Sequence, residues 1–82
     1  MKKIRFAPNV AAEVRAIAQP VALKILRALH HYAATGRGKV KPLEGEFAGL
    51  LRLRAGNHRV LFEETPDTIT VHRIGDRRDV YR

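Results

Sequence analysis

The chain has 82 residues, no cysteine, and 16 Lys and Arg against 8 Asp and Glu, which gives a formal net charge of +8. This length predicts one domain over residues 1–82 with a small core, and the lack of cysteine excludes disulfides and Cys-ligated metals. The positive charge indicates a polyanionic partner, either nucleic acid or an acidic protein. No secretory signal or run of transmembrane length is recognised, so we expect a cytoplasmic protein without a membrane partner.

The first half of the chain predicts a strand followed by two helices. Apolar and basic residues alternate over Lys2–Phe6, which indicates a strand. Asn9 is expected to cap the first helix through its side-chain oxygen, and that helix ends near Gln19. A second helix starts at Pro20, carries an apolar stripe, and ends at Gly36, which provides a left-handed cap.

The second half predicts a small antiparallel sheet. Residues Gly36–Gly49 hold four glycines and one proline and are expected to form a basic loop. Residues Leu50–Glu64 alternate in period 2 on both sides of an Ala-Gly-Asn turn, which predicts a β-hairpin, and Ile69–Ile74 predicts a further strand. The predicted order is β-α-α-β-β-β, an α+β fold with an N-terminal helical hairpin packed on a mostly antiparallel sheet.

The predicted hairpin carries a cluster of arginines on one face. Alternation places Arg52 and Arg54 on the same side of one strand, and the hairpin returns Arg59 beside them. Like charges on neighbouring strands repel and destabilise a hairpin. A solvated basic face is the alternative interpretation, but an anion-binding face explains the clustering better.

Most other site chemistries are excluded or weakly supported by the sequence. The chain has no serine and no cysteine, so a Ser or Cys nucleophile is impossible. His30 and His31 are adjacent on a helix and cannot face one ligand together, and His72 stands alone in a strand. We therefore expect no metal and no cofactor. His58, at the hairpin turn, could transfer protons, or it could be a surface turn histidine.

What remains is an arginine-rich set with one tyrosine. Its members are Arg52, Arg54, Arg59, Arg73, Arg77, Arg78 and Tyr81. Arginine forms planar bidentate contacts with phosphate, and a tyrosine ring can stack on an unstacked RNA base. Metal-free cleavage of a phosphodiester needs an in-line 2′-OH, charge stabilisation and proton transfer. Guanidiniums can supply the orientation and the charge stabilisation.

The segments RLRAGNHRVLFE and GDRRDVYR, separated by a strand, resemble the RelE/ParE superfamily of toxins, and the RelE-like branch most closely. The resemblance covers essentially the whole chain. It implies a RelE-like toxin of a type II toxin–antitoxin system, which acts as a metal-independent, ribosome-dependent mRNA endoribonuclease. The expected partners are the ribosome, mRNA and a cognate antitoxin that neutralises the toxin.

The resemblance also implies roles for individual residues. Arg52 and Arg54 would position the 2′-OH and stabilise the transition state. Arg59 and Arg77 would hold the scissile phosphate, and Tyr81 would stack on the adjacent base. Further substrate contacts are expected at Lys41, His58, Arg73 and Arg78.

The sequence departs from the superfamily pattern at two positions. His58 stands where such hairpins usually carry tyrosine, and Asp76 stands where histidine or lysine is common. An acid beside Arg77 would pair with it, and would either weaken its hold on phosphate or orient it. Positions 52 and 54 also carry arginines rather than two lysines. Because arginine effectively does not deprotonate, it is difficult for either residue to accept a proton.

Two other functions stay open at this point. One is a ParE-like inhibitor of DNA gyrase, and the other is a non-catalytic toxin-like binding module. The joint presence of four arginines and one tyrosine favours the endoribonuclease, because a gyrase inhibitor would not need Tyr81 near the arginines.

Overall fold

The computed structural model describes residues 1–81 and places two helices on one face of a five-stranded sheet. The elements are β1 (Lys3–Phe6), α1 (Val10–Arg15), α2 (Gln19–Thr35), β2 (Val40–Pro42), a 3₁₀ turn (Gly45–Phe47), β3 (Leu51–Ala55), β4 (His58–Glu64) and β5 (Thr68–Asp76). The strand order is β1-β5-β4-β3-β2. Strand β1 runs parallel to β5 and all other pairs are antiparallel, so the predicted α+β fold is confirmed. Arg82, the end of the predicted charged C-terminus, lies outside the described residues.

The segment predicted as a loop, Gly36–Gly49, contains regular structure, so that prediction is wrong in part. Strand β2 pairs with β3 and forms one edge of the sheet. Pro42 is tolerated there because an edge strand leaves one side of its backbone unpaired. A three-residue strand that ends in proline has too short a pattern to be recognised in the sequence.

Helix α1 ends at Arg15 rather than near Gln19, and Asn9 does not cap it with its side chain. Instead, Asn9 Nδ2 donates to the carbonyl oxygen of His72, at 2.9 Å. Glu13 Oε1 accepts from the backbone N–H of Ile74, at 2.8 Å. Strand β1 pairs only with the first part of β5, so the start of α1 satisfies the polar groups on the rest of that edge.

The core lies between the helices and the sheet. Helix α2 does end at a left-handed Gly36, with φ of 73°. The buried side chains are Val10, Ile25, Leu29, Ala33, Leu53, Val60, Phe62, Ile69, Val71 and Ile74. The ring of Phe62, on the central strand β4, is fully buried, and its centroid lies 5.5 Å from that of Tyr32. No helix within residues 1–81 is long and apolar enough to cross a membrane.

A polar network fixes the N-terminus to the end of strand β4. Lys2 Nζ donates to Glu64 Oε2 at 2.5 Å and to the carbonyl oxygen of Thr65 at 2.7 Å. The Tyr32 hydroxyl donates to Glu64 Oε1 at 2.6 Å. Burial and the hydrogen bond to Glu64 raise the pKa of Tyr32 to about 12. Burial alone would raise the pKa of Glu64, but the hydrogen bonds from Lys2 and Tyr32 outweigh it and hold that pKa below its ordinary value.

This network makes stability depend on pH at both ends of the scale. The pKa of Glu64 is lowered on folding from an ordinary value of 4.5, so its contribution is complete above that pH and is lost on acidification. The pKa of Tyr32 is raised, so its contribution is complete below its ordinary value of 10.0 and is lost as the pH approaches 12. We expect Glu64→Gln to lower the free energy of unfolding at pH 7 by about 1–3 kcal/mol. Urea unfolding between pH 3 and 7 measures this, and Glu63→Gln on the exposed neighbour is the control; equal losses in both variants would contradict the role of the network.

Candidate functional site

The face of the sheet away from the helices carries a cluster of arginines. Residues directly opposite each other in a sheet share a face, and Arg54 is paired with Arg59, which is paired with Gly75. In the next row, Arg52 is paired with Leu61 and Leu61 with Arg73. The predicted sharing of one face by Arg52, Arg54 and Arg59 is confirmed. We call this surface the arginine face, and its members are Lys41, Arg52, Arg54, Arg59, Leu61 and Arg73.

Arg59 is held rigidly at the base of the hairpin turn. Its side chain is only 8% exposed, and its Nη1 donates to the carbonyl oxygens of Gly56 and His58, at 3.0 Å each. Gly56 makes this turn possible, because its φ of 60° is strained for residues with a side chain. Burial lowers the pKa of Arg59, and the charges of Arg54 and Arg52 lower it further. Arginine nevertheless keeps its charge in proteins, so Arg59 is a fixed cation surrounded by other positive charges.

The repulsion on this face predicts that removing one charge stabilises the fold. Arg54 is exposed and lies directly opposite Arg59, and like charges in that position cost about 0.2–1 kcal/mol. We expect Arg54→Gln to raise the melting temperature by about 2–5 °C. Arg27→Gln on the exposed face of α2 is the control and should change it little. A lower melting temperature for Arg54→Gln would show that Arg54 has a structural role.

The chain after β5 folds back toward the arginine face. The backbone N–H of Arg77 donates to the carbonyl oxygen of Asn57 in the hairpin turn, at 2.9 Å. Asp76 Oδ1 accepts from the backbone N–H groups of Arg78 and Asp79, at 2.8 and 2.9 Å, and these bonds lower the pKa of Asp76. Asp76 therefore organises the C-terminal turn, and the ion pair with Arg77 expected from the sequence does not occur within residues 1–81.

The end of this turn is anchored on the same face. Val80 is buried and lies against Gly75, where an added Cβ would meet it at 3.5 Å. Arg73 Nη1 donates to the carbonyl oxygen of Val80, at 3.1 Å. The Tyr81 ring then lies 5.5 Å from the Phe47 ring, at an interplanar angle of 70°. Phe47 was missed by the sequence analysis, although an aromatic residue in a basic, glycine-rich loop was a usable signal.

The structure thus brings together the five residues that the sequence singled out as catalytic. The charges of Arg54, Arg52 and Arg77 lower the pKa of Arg59, and Tyr81 lies near enough to Arg59 to act on that pKa as well. In the described part of the chain, no Asp or Glu side chain lies within ion-pair distance of these arginines. The Nε of Arg52 is buried and has no hydrogen-bond partner there. Uncompensated guanidiniums that converge in this way are suited to binding an anion such as phosphate.

The predicted substrate-binding residues divide between two faces. Lys41 is paired with Arg52 and belongs to the arginine face, as does Arg73. Arg78 is exposed and lines a small pocket of about 260 Å³ at the tip of the hairpin. His58 lies on the helix side, where it lines a cavity of about 350 Å³ with residues of α2. The structure therefore separates His58 from the arginines.

The other histidine of the sheet, His72, is paired with a carboxylate and not with the arginines. His72 is the extra residue of a β-bulge between β4 and β5, and its Nε2 lies 2.6 Å from Glu63 Oε1. It is therefore paired with a carboxylate rather than isolated. Within residues 1–81, no group of three or more His, Asp and Glu side chains is arranged to hold a metal ion.

Comparison with known proteins identifies the family and the fold. The sequence of residues 4–81 matches the family described as the ParE toxin of the type II toxin–antitoxin system, parDE. No protein with a curated description matches significantly. The toxin–antitoxin complex RelBE2 from Mycobacterium tuberculosis has a similar structure, with a TM-score of 0.81 and 20% identity over 93% of this chain and 98% of that chain.

Two further structures have the same fold. The RelB–RelE complex from Methanococcus jannaschii aligns with a TM-score of 0.74 and 20% identity, over 94% of each chain. The YoeB–YefM complex from Staphylococcus aureus aligns with a TM-score of 0.70 and 20% identity, over 90% of this chain and 94% of that chain. Because the sequence match extends over nearly all of its length, this chain belongs to the ParE toxin family, within the RelE/ParE superfamily of type II toxin–antitoxin toxins.

Proposed function

We propose that this toxin is a metal-independent endoribonuclease that cuts mRNA in the A site of the ribosome. The observation that carries the proposal is the clustering of Arg52, Arg54 and Arg59 on one face of the sheet, with Arg77 and Tyr81 of the following segment close to Arg59. In the reaction, the 2′-oxygen attacks the scissile phosphorus and the bond to the 5′-oxygen breaks. The 2′-OH loses its proton and the leaving oxygen gains one.

Arg59 is suited to hold the scissile phosphate because it is already fixed before substrate arrives. Its Nη1 is committed to two turn carbonyls, so the N–H groups of Nε and Nη2 remain for phosphate oxygens. A preorganised cation of this kind loses little on reorganisation when charge develops in the transition state. Arg77 is exposed, with its backbone bonded to the same turn, and would contribute a second cation to the phosphate.

Arg52 and Arg54 would orient the 2′-OH and stabilise the developing charge, and Tyr81 would stack on the adjacent base. Neither arginine can accept the proton, because arginine does not deprotonate in proteins. His58, the histidine suggested by the sequence, lies on the other face of the sheet. Proton transfer is therefore assigned neither to these two arginines nor to His58, and the ribosome is one source of the missing group.

We also propose that a cognate antitoxin neutralises the toxin. Similar folds have been solved as complexes with antitoxins, as in the RelB–RelE and YoeB–YefM structures. The net charge of +8 favours an acidic partner as much as it favours RNA.

Primer extension on a reporter mRNA tests the proposed activity. The mRNA is translated in a purified system with the toxin, without it, and with the toxin but without ribosomes. Cuts within codons that appear only when both toxin and ribosomes are present are expected, and added antitoxin should suppress them. Intact mRNA in all reactions would contradict the proposal.

Inhibition of DNA gyrase is the second candidate, and the match to the ParE family is the observation that favours it. A gyrase supercoiling assay with the same protein preparation separates the two functions. Loss of supercoiling with intact mRNA would establish the gyrase inhibitor. Intact mRNA with normal supercoiling would leave the non-catalytic binding module.

A further inference from the structure

We infer that Phe47 is a positioning residue that holds the Tyr81 ring for stacking on an unstacked base of single-stranded RNA. The inference rests on the proposed function, because it concerns the base beside the scissile phosphate. It adds to that site a residue from a different part of the chain, the turn between β2 and β3.

The backbone around Phe47 is fixed by a closed loop. The N–H of Leu43 donates to the carbonyl oxygen of Leu50, at 2.9 Å, and closes the loop at its base. Within it, the N–H of Leu50 donates to the carbonyl oxygen of Phe47, at 3.0 Å. Gly45 and Gly49 flank the turn with φ of 66° and 93°, a conformation that other residues rarely adopt. The Phe47 ring is therefore presented from a rigid support.

Tyr81, in contrast, has little support from its own segment. It lies beyond the last strand, and the anchor before it is the buried Val80. The aromatic contact found for it within residues 1–81 is the one with Phe47. Without that ring, Tyr81 would have no aromatic surface to limit its orientation.

The edge-to-face geometry of the pair does not use every ring face. Rings at 70° form an edge-to-face contact, which uses one face of one ring only. A base can then stack on a ring face that remains open, as bases of single-stranded RNA do on aromatic side chains. Tyr81 follows Val80, whose carbonyl oxygen accepts from Arg73 on the arginine face, so a base stacked on Tyr81 would have its phosphate near the guanidiniums.

A purely structural role for Phe47 fits the packing less well. Phe47 is half-buried and belongs neither to the core between helices and sheet nor to the apolar residues packed against that core. The fold therefore does not depend on its ring in the way that it depends on Phe62. Its aromatic contact is with a residue of the proposed site.

The test compares Phe47→Ala, Phe47→Tyr, Tyr81→Ala and the double variant Phe47→Ala/Tyr81→Ala in single-turnover cleavage on ribosomes. We expect Phe47→Ala to lower the maximal cleavage rate about five- to tenfold, and Phe47→Tyr to restore it to within about twofold. The double variant should be no slower than Tyr81→Ala alone, because both changes remove the same stacking. Phe6→Ala, on the helix side, is the matched control and should cleave like the wild type.

Three outcomes would overturn the inference while the wild type still cleaves. The first is an unchanged cleavage rate in Phe47→Ala, and the second is a double variant in which the two losses of rate add. The third is a folded fraction of Phe47→Ala, measured by thermal melting, that is low enough to account for its loss of activity. If the wild type does not cleave, the proposed function fails and binding decides the inference. An unstructured, fluorescein-labelled RNA hexamer should then bind the wild type and bind Phe47→Ala about tenfold more weakly. Equal binding, or no binding by the wild type, would overturn it.

Discussion

Replacing Arg59 or Arg77 by alanine is expected to lower ribosome-dependent cleavage of mRNA by at least about 10²-fold. Both guanidiniums belong to the group that surrounds the proposed phosphate position. Arg59 contributes a fixed fork of donors, since the turn carbonyls of Gly56 and His58 already hold its Nη1. Removal of Arg59 therefore loses both a positive charge and a preorganised donor group. Removal of the exposed Arg77 loses the positive charge alone.

Three measurements separate catalysis from folding in these variants. Melting temperatures of Arg59→Ala and Arg77→Ala should stay near that of the wild type, because each change also removes repulsion between neighbouring guanidiniums. Arg59→Lys should stay well below wild-type activity, because lysine keeps the charge but cannot make the bidentate contact. Arg27→Ala, on the exposed face of α2, removes one positive charge far from the site and should cleave normally. Full activity in both Arg59→Ala and Arg77→Ala would contradict the proposed site.

The arginine face was predictable because local rules determine it. Side chains alternate along a strand, and a two-residue turn at Gly56 and Asn57 fixes the register of the hairpin. Once Leu53 and Val60 are assigned to the core, Arg52, Arg54 and Arg59 have to share the opposite face. The same parity also assigns His58 to the side of Val60 and Phe62, so its separation from the arginines was available in the sequence.

Other features depend on contacts that are distant in sequence. Phe47 and Tyr81 are far apart along the chain and meet only because the C-terminal turn crosses back over β5. The role of Asn9 likewise depends on how far β1 pairs along β5, since the amide satisfies a carbonyl that β1 leaves open. No local sequence pattern contains these long-range contacts. The N-cap prediction for Asn9 followed a general preference of helix ends, and the tertiary structure overrode it.

One face of the sheet stabilises the fold, and the other face carries the proposed binding site. The helix side buries a continuous apolar core, which leaves the other side free to collect charges that repel one another. Leu61 and Val80 give the arginine face small buried anchors of its own. Burial of the core on the opposite side thus offsets the destabilisation that the clustered charges cause. Disruption of that core should therefore unfold the site as well.

Phe62→Ala is expected to lower the free energy of unfolding by about 3–5 kcal/mol. The ring is fully buried on the central strand β4 and contacts Tyr32, so alanine would leave a cavity between α2 and the sheet. At about 0.05–0.15 kcal/mol per residue, a chain of this length has a total stability of roughly 4–12 kcal/mol. One such loss brings the protein close to unfolding at 25 °C.

The other phenylalanines provide matched controls for this change. Phe6 is 49% exposed, so Phe6→Ala should cost well under half as much as Phe62→Ala in urea unfolding. Phe47→Ala should also stay near the wild type in stability, yet lose cleavage activity. Phe62→Ala should lose activity only in proportion to the fraction unfolded, and binding of the proposed antitoxin to the folded toxin should partly restore its stability. A stability loss for Phe62→Ala no larger than that of Phe6→Ala would contradict the placement of the core between α2 and β4.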